Sequence, residues 1–354
     1  MLPEAKILSK NPYSLDRETK SKMLLERLLA LHKHHLKCSP EYKNIAEHLF
    51  SKDIKSIADF PFLPVTVFKN HELKSIAREE VFKVLTSSGT TGAVPSRIYL
   101  DRQTANLQTK ALSDIMQYVL GSERLPMLLA DSIGIIKDRK SFSARGAGVL
   151  GMSVFGRNHL YLLNEQMNID RSGLEAFLDK FKGKPILIFG FTYMIWQYLY
   201  ETDIKADLSG AILIHSGGWK KMLEKSVDNK TFKKKLNERF GIERIYNFYG
   251  MVEQVGSVFM ECEYGYLHAP DFADVLVRDP LDFSVMPNGS EGILQVLSAL
   301  PESYPGHSLL TEDLGIIAGE DNCKCLRKGK YFTVTGRMKK AELRGCSDTI
   351  TAVS

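Results

Sequence analysis

The sequence predicts an α/β fold, and three observations lead to this class. A chain of 354 residues with ordinary apolar and charged fractions, 44% and 25%, can bury a large core. Short apolar runs alternate with amphipathic stretches of helical length over most of the chain. A loop rich in serine, threonine and glycine follows one strand-like run, and parallel strands usually deliver such loops to a ligand-binding edge of the sheet.

The predicted elements follow one another without tandem repeats or low-complexity linkers over residues 1–300. Residues 18–36 place leucines at helical spacing opposite charged residues, which predicts an amphipathic helix. Alternation at 96–100 predicts a strand, and residues 104–119 predict the helix after it. The further predicted elements are buried strands at 127–130, 186–189 and 211–215, a helix at 192–201 and a turn at 216–218.

Composition and charge argue against several classes of function. The net charge of +5 is small against 47 basic and 42 acidic residues, and no basic run is interleaved with aromatic residues, so we expect no nucleic-acid binding. The lysine run at 233–235 predicts a solvated helix face.

The most apolar stretch, 185–200, is shorter than the roughly 20 residues of a membrane span. The N-terminus lacks a secretory signal and five cysteines is an odd number, so we expect a cytoplasmic protein.

The hydroxyl- and glycine-rich loop has the composition of a phosphate-binding loop. Glycine lets the backbone bend, while hydroxyl groups and consecutive N–H groups can converge on anionic oxygens. It matches neither G-x-x-x-x-G-K-[ST] nor G-x-G-x-x-G, and the alternative is an ordinary surface turn. The loop, called the phosphate loop below, comprises Ser87, Ser88, Gly89, Thr90, Thr91 and Gly92.

The composition and pattern of the sequence change from residue 270 onward. Prolines and glycines punctuate short alternating segments there, which predicts antiparallel strands in a smaller unit against the main body. We therefore expect three parts: an α/β core over 1–270 with the phosphate loop, a β-rich subdomain over 271–335 that completes the nucleotide site, and a short tail over 336–354.

Three later motifs follow the phosphate loop along the chain. They are Tyr-Gly-Met-Val-Glu at 249–253, Thr-Glu-Asp at 311–313 and Gly-Arg at 336–337. Together with the loop, they resemble the signature of the adenylate-forming superfamily. The segments at 11–17, 61–65 and 342–348 resemble, within that superfamily, the acyl-protein synthetases of bacterial fatty-acid reductase complexes.

The resemblance implies both a fold and a reaction. The fold is the N-terminal domain of an adenylate-forming enzyme: mixed, layered sheets with helices and a smaller β-rich subdomain, lacking most of the usual C-terminal domain. The reaction is the ATP-dependent activation of a long-chain fatty acid as acyl-adenylate, with Mg²⁺ as cofactor. The implied partners are an acyl reductase and an acyltransferase, and the implied context is aldehyde supply for luminescence.

The resemblance also assigns roles to single residues. The phosphate loop wraps the ATP phosphates, Tyr249 and Gly250 adjoin adenine, and Glu253 holds Mg²⁺. Asp313 accepts hydrogen bonds from the ribose hydroxyls, and Arg337 adds a fixed charge near ribose or phosphate. Gly217 and Gly218 resemble the turn that lets adenine lie against the backbone. The alternative reading makes Glu253 and Asp313 surface turn residues.

The tail carries the candidate acyl acceptor, Cys346. A thiolate is a suitable nucleophile for an acyl group that leaves AMP, and Arg344 would lower the pKa of the thiol. Acyl-protein synthetases acylate themselves on a cysteine near the C-terminus, so the resemblance assigns this role to Cys346. The alternative is a passive thiol. The family's usual C-terminal domain supplies a lysine for adenylation; Lys339 and Lys340 offer substitute charges, and the sequence assigns that role to neither of them.

Four of the remaining side chains form a possible structural zinc set. Three thiols and one imidazole match a tetrahedral Cys₃His site, provided that their loops are neighbours. Four protein ligands leave no open position, so such a zinc ion would be structural. The alternative is buried free thiols, the role also expected of Cys38. The set comprises Cys262, His268, Cys323 and Cys325.

Two further functions stay open at this point. In a phenylacetate-type or other acyl-CoA ligase, coenzyme A would accept the acyl group, so activity would depend on free coenzyme A. In a scaffold subunit, an adenylation fold without catalysis would stabilise a reductase and would have no affinity for ATP. The phosphate loop with Glu253, Asp313 and Arg337 argues against the scaffold.

Overall fold

The computed structural model describes residues 7–49, 53–87, 94–137 and 144–338. These residues form nine α-helices and fourteen β-strands, numbered in chain order. The helices are α1 (Arg17–Cys38), α2 (Pro40–Leu49), α3 (Val67–Asn70), α4 (Arg102–Leu120), α5 (Gly134–Lys137), α6 (Ala144–Ser153), α7 (Arg171–Lys180), α8 (Thr192–Ile195) and α9 (Asn229–Phe240). The strands are β1 (Leu63–Pro64), β2 (Lys83–Thr86), β3 (Arg97–Leu100), β4 (Leu125–Ser132), β5 (Gly156–Leu163), β6 (Ile186–Phe191), β7 (Ala211–Ser216), β8 (Arg244–Tyr249), β9 (Phe259–Glu261), β10 (Leu267–His268), β11 (Ala273–Arg278), β12 (Glu291–Ser298), β13 (Ser308–Glu320) and β14 (Lys330–Arg337).

Twelve of the strands form one mixed sheet. Its order is β11-β12-β13-β14-β10-β9-β8-β7-β6-β4-β5, with β1 paired in parallel to β13. Strands β5, β4, β6, β7 and β8 pair with one another in parallel. From β8 through β9, β10, β14, β13 and β12 to β11, every pair is antiparallel. Strands β2 and β3 form a separate antiparallel pair that flanks the phosphate loop. The sheet therefore has a parallel half and an antiparallel half.

The helices and buried strands agree well with the sequence prediction. The predicted strands at 127–130, 186–189 and 211–215 lie within β4, β6 and β7. Helix α1 begins where the Asp16 carboxylate accepts a hydrogen bond from the backbone of Thr19 at 2.9 Å. Helix α4 begins in the same way at Asp101. The α/β prediction is therefore confirmed.

Two local predictions need correction. The helix expected at 192–201 is a short α8 that continues as a π-helical turn over Trp196–Tyr200. The lysine run at 233–235 lies on α9, and Lys234 is exposed as expected, but Lys233 is partly buried and its ammonium group pairs with the Glu261 carboxylate at 2.8 Å. Glu261 is 1% exposed, and a buried carboxylate requires such partners.

The antiparallel strands expected after residue 270 are β11 to β14. They continue the same sheet as the parallel strands, through the short strands β10 and β9. The division into separate units at 270 and 335 stays a prediction, and most of the tail, 339–354, lies outside the described residues.

Two apolar clusters enclose the parallel strands. One joins α1 and α4 to the inner side chains of both halves of the sheet, including Leu28, Ile115 and Val296. The other packs α7 and α9 on the opposite face of the parallel strands. Burial on both faces explains why these strands read as continuous apolar runs. No helix in the described part of the chain is long and apolar enough to cross a membrane.

Candidate active site

The carboxyl ends of β6, β7 and β8 meet at one edge of the sheet. Phe191 lies beside Ser216, and Ser216 lies beside Phe248 in the parallel register. The Ser216 hydroxyl donates a hydrogen bond to the Phe248 carbonyl oxygen at 2.9 Å, which fixes the ends of β7 and β8 together. The two following segments, the glycine turn after β7 and Tyr249 at the end of β8, therefore face the same space.

The two glycines of the turn after β7, Gly217 and Gly218, differ in why glycine suits them. Gly217 has a φ of +81°, in the left-handed region that favours glycine, and a β-carbon there would lie 3.2 Å from the Phe191 ring. A β-carbon on Gly218 would meet no atom within 4 Å, so its backbone faces open space. Of these two predicted residues, Gly218 is the one that leaves room for a flat ligand against the main chain.

The aromatic and aliphatic residues around this edge divide between core and site. Phe189, Ile195 and Trp196 are buried in the two apolar clusters and belong to the core. The Phe191 ring is only partly buried and contacts the turn at Gly217. Phe191 therefore lies between the core and the space in front of the sheet.

Tyr249 reaches from the parallel half to the antiparallel half. Its hydroxyl donates a hydrogen bond of 2.7 Å to Oδ2 of Asp313 on β13. Burial, and then the charge of Asp313, raise the pKa of Tyr249 well above its ordinary value, so the phenol remains a neutral donor. The bond ties the motif at 249–253 to the motif at 311–313.

Arg337 completes this group from β14. The β13–β14 register places it opposite Asp313, with 3.7 Å between its Nε and Oδ1 of the carboxylate. A second contact joins Arg337 to Glu312 at 3.0 Å. The Arg337 side chain is 69% exposed, so solvent screens both ion pairs and leaves the guanidinium accessible.

Glu253 lies in a 3₁₀ turn just beyond Tyr249 and is 8% exposed. Burial raises the pKa of its carboxyl group, and the nearby Ser96, Lys69 and Arg337 only partly oppose that rise. Within the described ranges, no cationic side chain pairs with Glu253 at salt-bridge distance. A buried carboxylate in this state is suited to a bound cation.

The base of the phosphate loop lies beside Glu253. The backbone N–H of Ser96 donates to the Ser87 hydroxyl at 2.9 Å, and the N–H of Ser87 donates to the Ser96 carbonyl oxygen at 3.2 Å. These bonds join the chain segments on either side of residues 88–93. The loop residues Ser88, Gly89, Thr90, Thr91 and Gly92 lie outside the described residues, as does Cys346.

The structure also brings forward residues that the sequence did not indicate. Lys69 on α3 supplies a charge that acts on Glu253, yet no motif surrounds it. At Gly306, a β-carbon would approach the Glu253 carbonyl oxygen to 2.7 Å, so only glycine fits under this turn. Both depend on contacts between distant segments, and neither carries a spacing signal. Gly250 is exposed, and a β-carbon there would make only ordinary contacts, at 3.6 Å from the Ser257 carbonyl oxygen and 3.8 Å from Val258.

The four candidate zinc ligands come together at a separate place. Their ligand atoms all lie within 4.8 Å of one another, at the end of the antiparallel strands. Burial lowers the pKa of His268 to about 3, so its imidazole is neutral. Burial also raises the pKa of Cys262, and that of Cys325 to about 12, so these thiols keep their protons unless a cation stabilises the thiolates.

Known proteins resemble this chain in sequence and in fold. A family model described as acyl-protein synthetase, LuxE, matches residues 3–353. Two relatives, both named long-chain-fatty-acid–luciferin-component ligase, are 25% identical. The relative from Aliivibrio fischeri aligns over 80% of this chain and 76% of its own length. The relative from Vibrio harveyi aligns over 92% and 87%.

The solved structures resemble the fold at lower identity. A 2-hydroxyisobutyryl-CoA ligase in the postadenylation state with R3-HIB-AMP has a TM-score of 0.71 at 18% identity, covering 96% of this chain and 72% of that ligase. ATP-bound MatB from Rhodopseudomonas palustris has a TM-score of 0.50 at 14% identity, covering 74% and 49%. This confirms the adenylate-forming fold expected from the motifs. Because the family match also spans nearly the whole sequence, the chain belongs to the LuxE family of acyl-protein synthetases, which are ligases.

Proposed function

We propose that this chain uses ATP to activate a long-chain fatty acid as an acyl-adenylate, with release of pyrophosphate. The observation that carries the proposal is the convergence of Tyr249, Asp313 and Arg337 at the carboxyl edge of the parallel strands. Glu253 and the base of the phosphate loop lie beside them. The names of the curated relatives give a long-chain fatty acid as their substrate, which supports the same substrate class here.

The nucleoside part of ATP would bind between the two halves of the sheet. The Asp313 carboxylate accepts one hydrogen bond from Tyr249 and has lone pairs left for the ribose hydroxyls. Adenine would lie against the open backbone at Gly218, beside Tyr249. The exposed Arg337 would contact the ribose or the α-phosphate, where a guanidinium can make two parallel hydrogen bonds.

Glu253 is the proposed magnesium ligand. Mg²⁺ binds carboxylate oxygens and usually keeps several waters, so one glutamate with phosphate oxygens is a sufficient set. The buried carboxyl group of Glu253 fits this role because a divalent cation would offset the cost of burying its charge. When bound, Mg²⁺ would neutralise charge on the phosphate oxygens as pyrophosphate leaves.

The second proposed step transfers the acyl group to Cys346. Its sulfur attacks the acyl carbonyl carbon, the bond between that carbon and the AMP oxygen breaks, and the thiol proton passes to solvent. The product is a thioester on the tail and free AMP. A partner acyl reductase would then take the acyl group, in accordance with the protein ligation that the family description names.

The test is ATP-dependent labelling with radioactive tetradecanoic acid, before and after hydroxylamine. Wild type and Cys38→Ser, whose thiol is exposed on α1, should carry label that hydroxylamine removes. Cys346→Ser should lose the label but still exchange pyrophosphate into ATP. If coenzyme A is needed for turnover and the protein stays unlabelled, the transfer step is wrong. If no fatty acid supports pyrophosphate exchange, the activation step is wrong too.

A further inference from the structure

Two tight turns carry four metal-ligating side chains to one place. In the turn between β9 and β10, the N–H of Cys262 donates to the Tyr266 carbonyl oxygen at 2.8 Å, and the N–H of Gly265 donates back to the Cys262 carbonyl oxygen at 2.9 Å. In the turn between β13 and β14, the N–H of Leu326 donates to the Cys323 carbonyl oxygen at 3.0 Å. Each turn therefore has a fixed backbone at its first cysteine.

Two of the separations between the donor atoms lie close to those of a tetrahedral zinc site. Zn–S bonds of about 2.3 Å and Zn–N bonds of about 2.0 Å place two sulfurs roughly 3.8 Å apart and a sulfur and a nitrogen roughly 3.5 Å apart. The observed separations are 4.0 Å between the sulfurs of Cys262 and Cys323, and 3.3 Å between the Cys325 sulfur and Nε2 of His268. A disulfide would need sulfurs about 2.0 Å apart, so the cluster is arranged around a centre.

The charges around the cluster also fit a metal–thiolate centre. Three thiolates and Zn²⁺ carry a net charge of −1. Arg327 is 6% exposed and Lys20 is 2% exposed, and these are the two cations whose charge acts on His268. Over the described ranges, no carboxylate pairs with the Arg327 guanidinium, which lies over the rings of Tyr13 and Tyr118 and donates to the Met260 and Glu261 carbonyl oxygens. A buried cation of this kind is stabilised by a nearby negative centre.

Aromatic residues seal the cluster. The Tyr331 ring stacks on His268 with a centroid distance of 5.6 Å, and Tyr266 packs edge-on against Tyr331. Cys262 and Cys323 are 0% and 5% exposed. A metal held here would have four protein ligands and no access to substrate, so its effect would be structural.

We propose that Cys262, His268, Cys323 and Cys325 bind one Zn²⁺ ion, which fastens the β9–β10 turn to the β13–β14 turn. Binding releases the three thiol protons, because zinc takes up thiolates. The zinc lies at the opposite end of β13 and β14 from Asp313 and Arg337, so it stabilises the antiparallel half without contacting ATP. The proposal does not depend on the proposed reaction.

The direct test is the metal content of untagged full-length protein, purified under reducing conditions without chelators. We expect about one zinc per chain, measured by mass spectrometry of the metal after gel filtration. Cys262→Ser and Cys323→Ser should lose the zinc, while the control Cys38→Ser should keep it. Replacement by Co²⁺ should give the strong visible bands of a tetrahedral site with thiolate-to-metal charge transfer.

The wild type provides a test that does not require the variants to fold. A strong chelator should lower its melting temperature by several degrees, and added zinc should restore it. Folded, fully reduced wild type that contains no zinc and takes up no Co²⁺ would overturn the proposal. A disulfide between Cys262 and Cys323 would also overturn it, if peptide mass mapping found that bond in protein whose free thiols were alkylated at cell lysis.

Discussion

The two ends of the β13–β14 pair differ in exposure and in chemistry. At one end Arg337 is 69% exposed beside Asp313, and both side chains face the open edge of the sheet. At the other end Cys323 is 5% exposed within an aromatic shell. The same two strands therefore combine charged groups that a ligand can reach with a thiol cluster that is mostly buried.

The separation of the two ends has a consequence for mutagenesis. Strand β14 runs from Lys330 to Arg337, a span of about 24 Å at about 3.4 Å per residue. Substitutions that far apart, with no shared partners, usually have additive effects. We call the end with Asp313 and Arg337 the charged end and the end with Cys323 the thiol end. The charged end should control the reaction and the thiol end should control stability, with little coupling between them.

The largest effect is expected from Glu253→Gln, in the turn just beyond Tyr249. Loss of the proposed metal-binding carboxylate should reduce fatty-acid-dependent pyrophosphate exchange by roughly a hundredfold or more, because metal stabilisation of phosphoryl charge is worth several kcal/mol. The exposed Glu291→Gln on β12 serves as the control and should retain exchange. Full exchange activity in Glu253→Gln would remove this residue from the proposed site.

A smaller effect is expected from Tyr249→Phe. The substitution keeps the ring and removes only the 2.7 Å hydrogen bond to Asp313. We expect about tenfold weaker ATP binding, since a hydrogen bond to a charged group is worth about 1.5–3 kcal/mol. In a double-mutant cycle with ATP titration, Tyr249→Phe should weaken ATP binding less in the Asp313→Asn background than in wild type, because the hydrogen bond is already weakened there. Fully additive losses would contradict a direct link between the two residues.

The raised pKa of Glu253 predicts a dependence of stability on pH. Burial raises the pKa of this carboxyl group above its ordinary value of 4.5, so the folded protein holds the proton more tightly than the unfolded chain. The contribution of the protonated group is present below pH 4.5 and is lost as the pH rises through the folded pKa. Without magnesium, Glu253→Gln should therefore be more stable than wild type at neutral pH, and the difference should disappear below pH 4.5.

Denaturant unfolding across that pH range is the measurement. Glu291→Gln should follow wild type at every pH, because its side chain is exposed. A Glu253→Gln variant that is less stable than wild type at neutral pH would mean that the carboxylate has stabilising partners.

The smallest effect on the reaction is expected at the thiol end. Cys323→Ser should lower the melting temperature, yet its exchange activity per folded molecule should stay within about twofold of wild type. The fraction folded is taken from circular dichroism at the assay temperature. A loss of ATP affinity as large as that in Tyr249→Phe would show that the two ends are coupled after all.

The sequence predicted the elements that depend on local pattern. Apolar runs marked β4, β6 and β7, and leucine spacing marked α1, because burial imposes a period that the sequence displays directly. The end of the helix after β6 was missed. A π-helical turn at Trp196–Tyr200 keeps a helical pattern of side chains while its hydrogen bonds shift, so periodicity does not reveal it.

The sequence predicted the site residues that belong to motifs. It did not predict the contacts that join distant segments of the chain. The motifs marked Tyr249, Asp313 and Arg337, but the hydrogen bond between Tyr249 and Asp313 joins strands 64 residues apart along the chain. Lys69 carries no local signal because its neighbourhood with Glu253 is created by packing alone. The ion pair between Lys233 and Glu261 was missed for the same reason.

The central claim is that the charged end of the β13–β14 pair serves ATP-dependent activation of a fatty acid. The most direct test is exchange of labelled pyrophosphate into ATP with tetradecanoic acid, comparing wild type, Asp313→Ala, Cys325→Ser and the exposed control Asp53→Ala. We predict exchange that requires the fatty acid, is lost in Asp313→Ala and persists in the other two variants. Exchange that is independent of fatty acid, or undiminished in Asp313→Ala, would contradict the account.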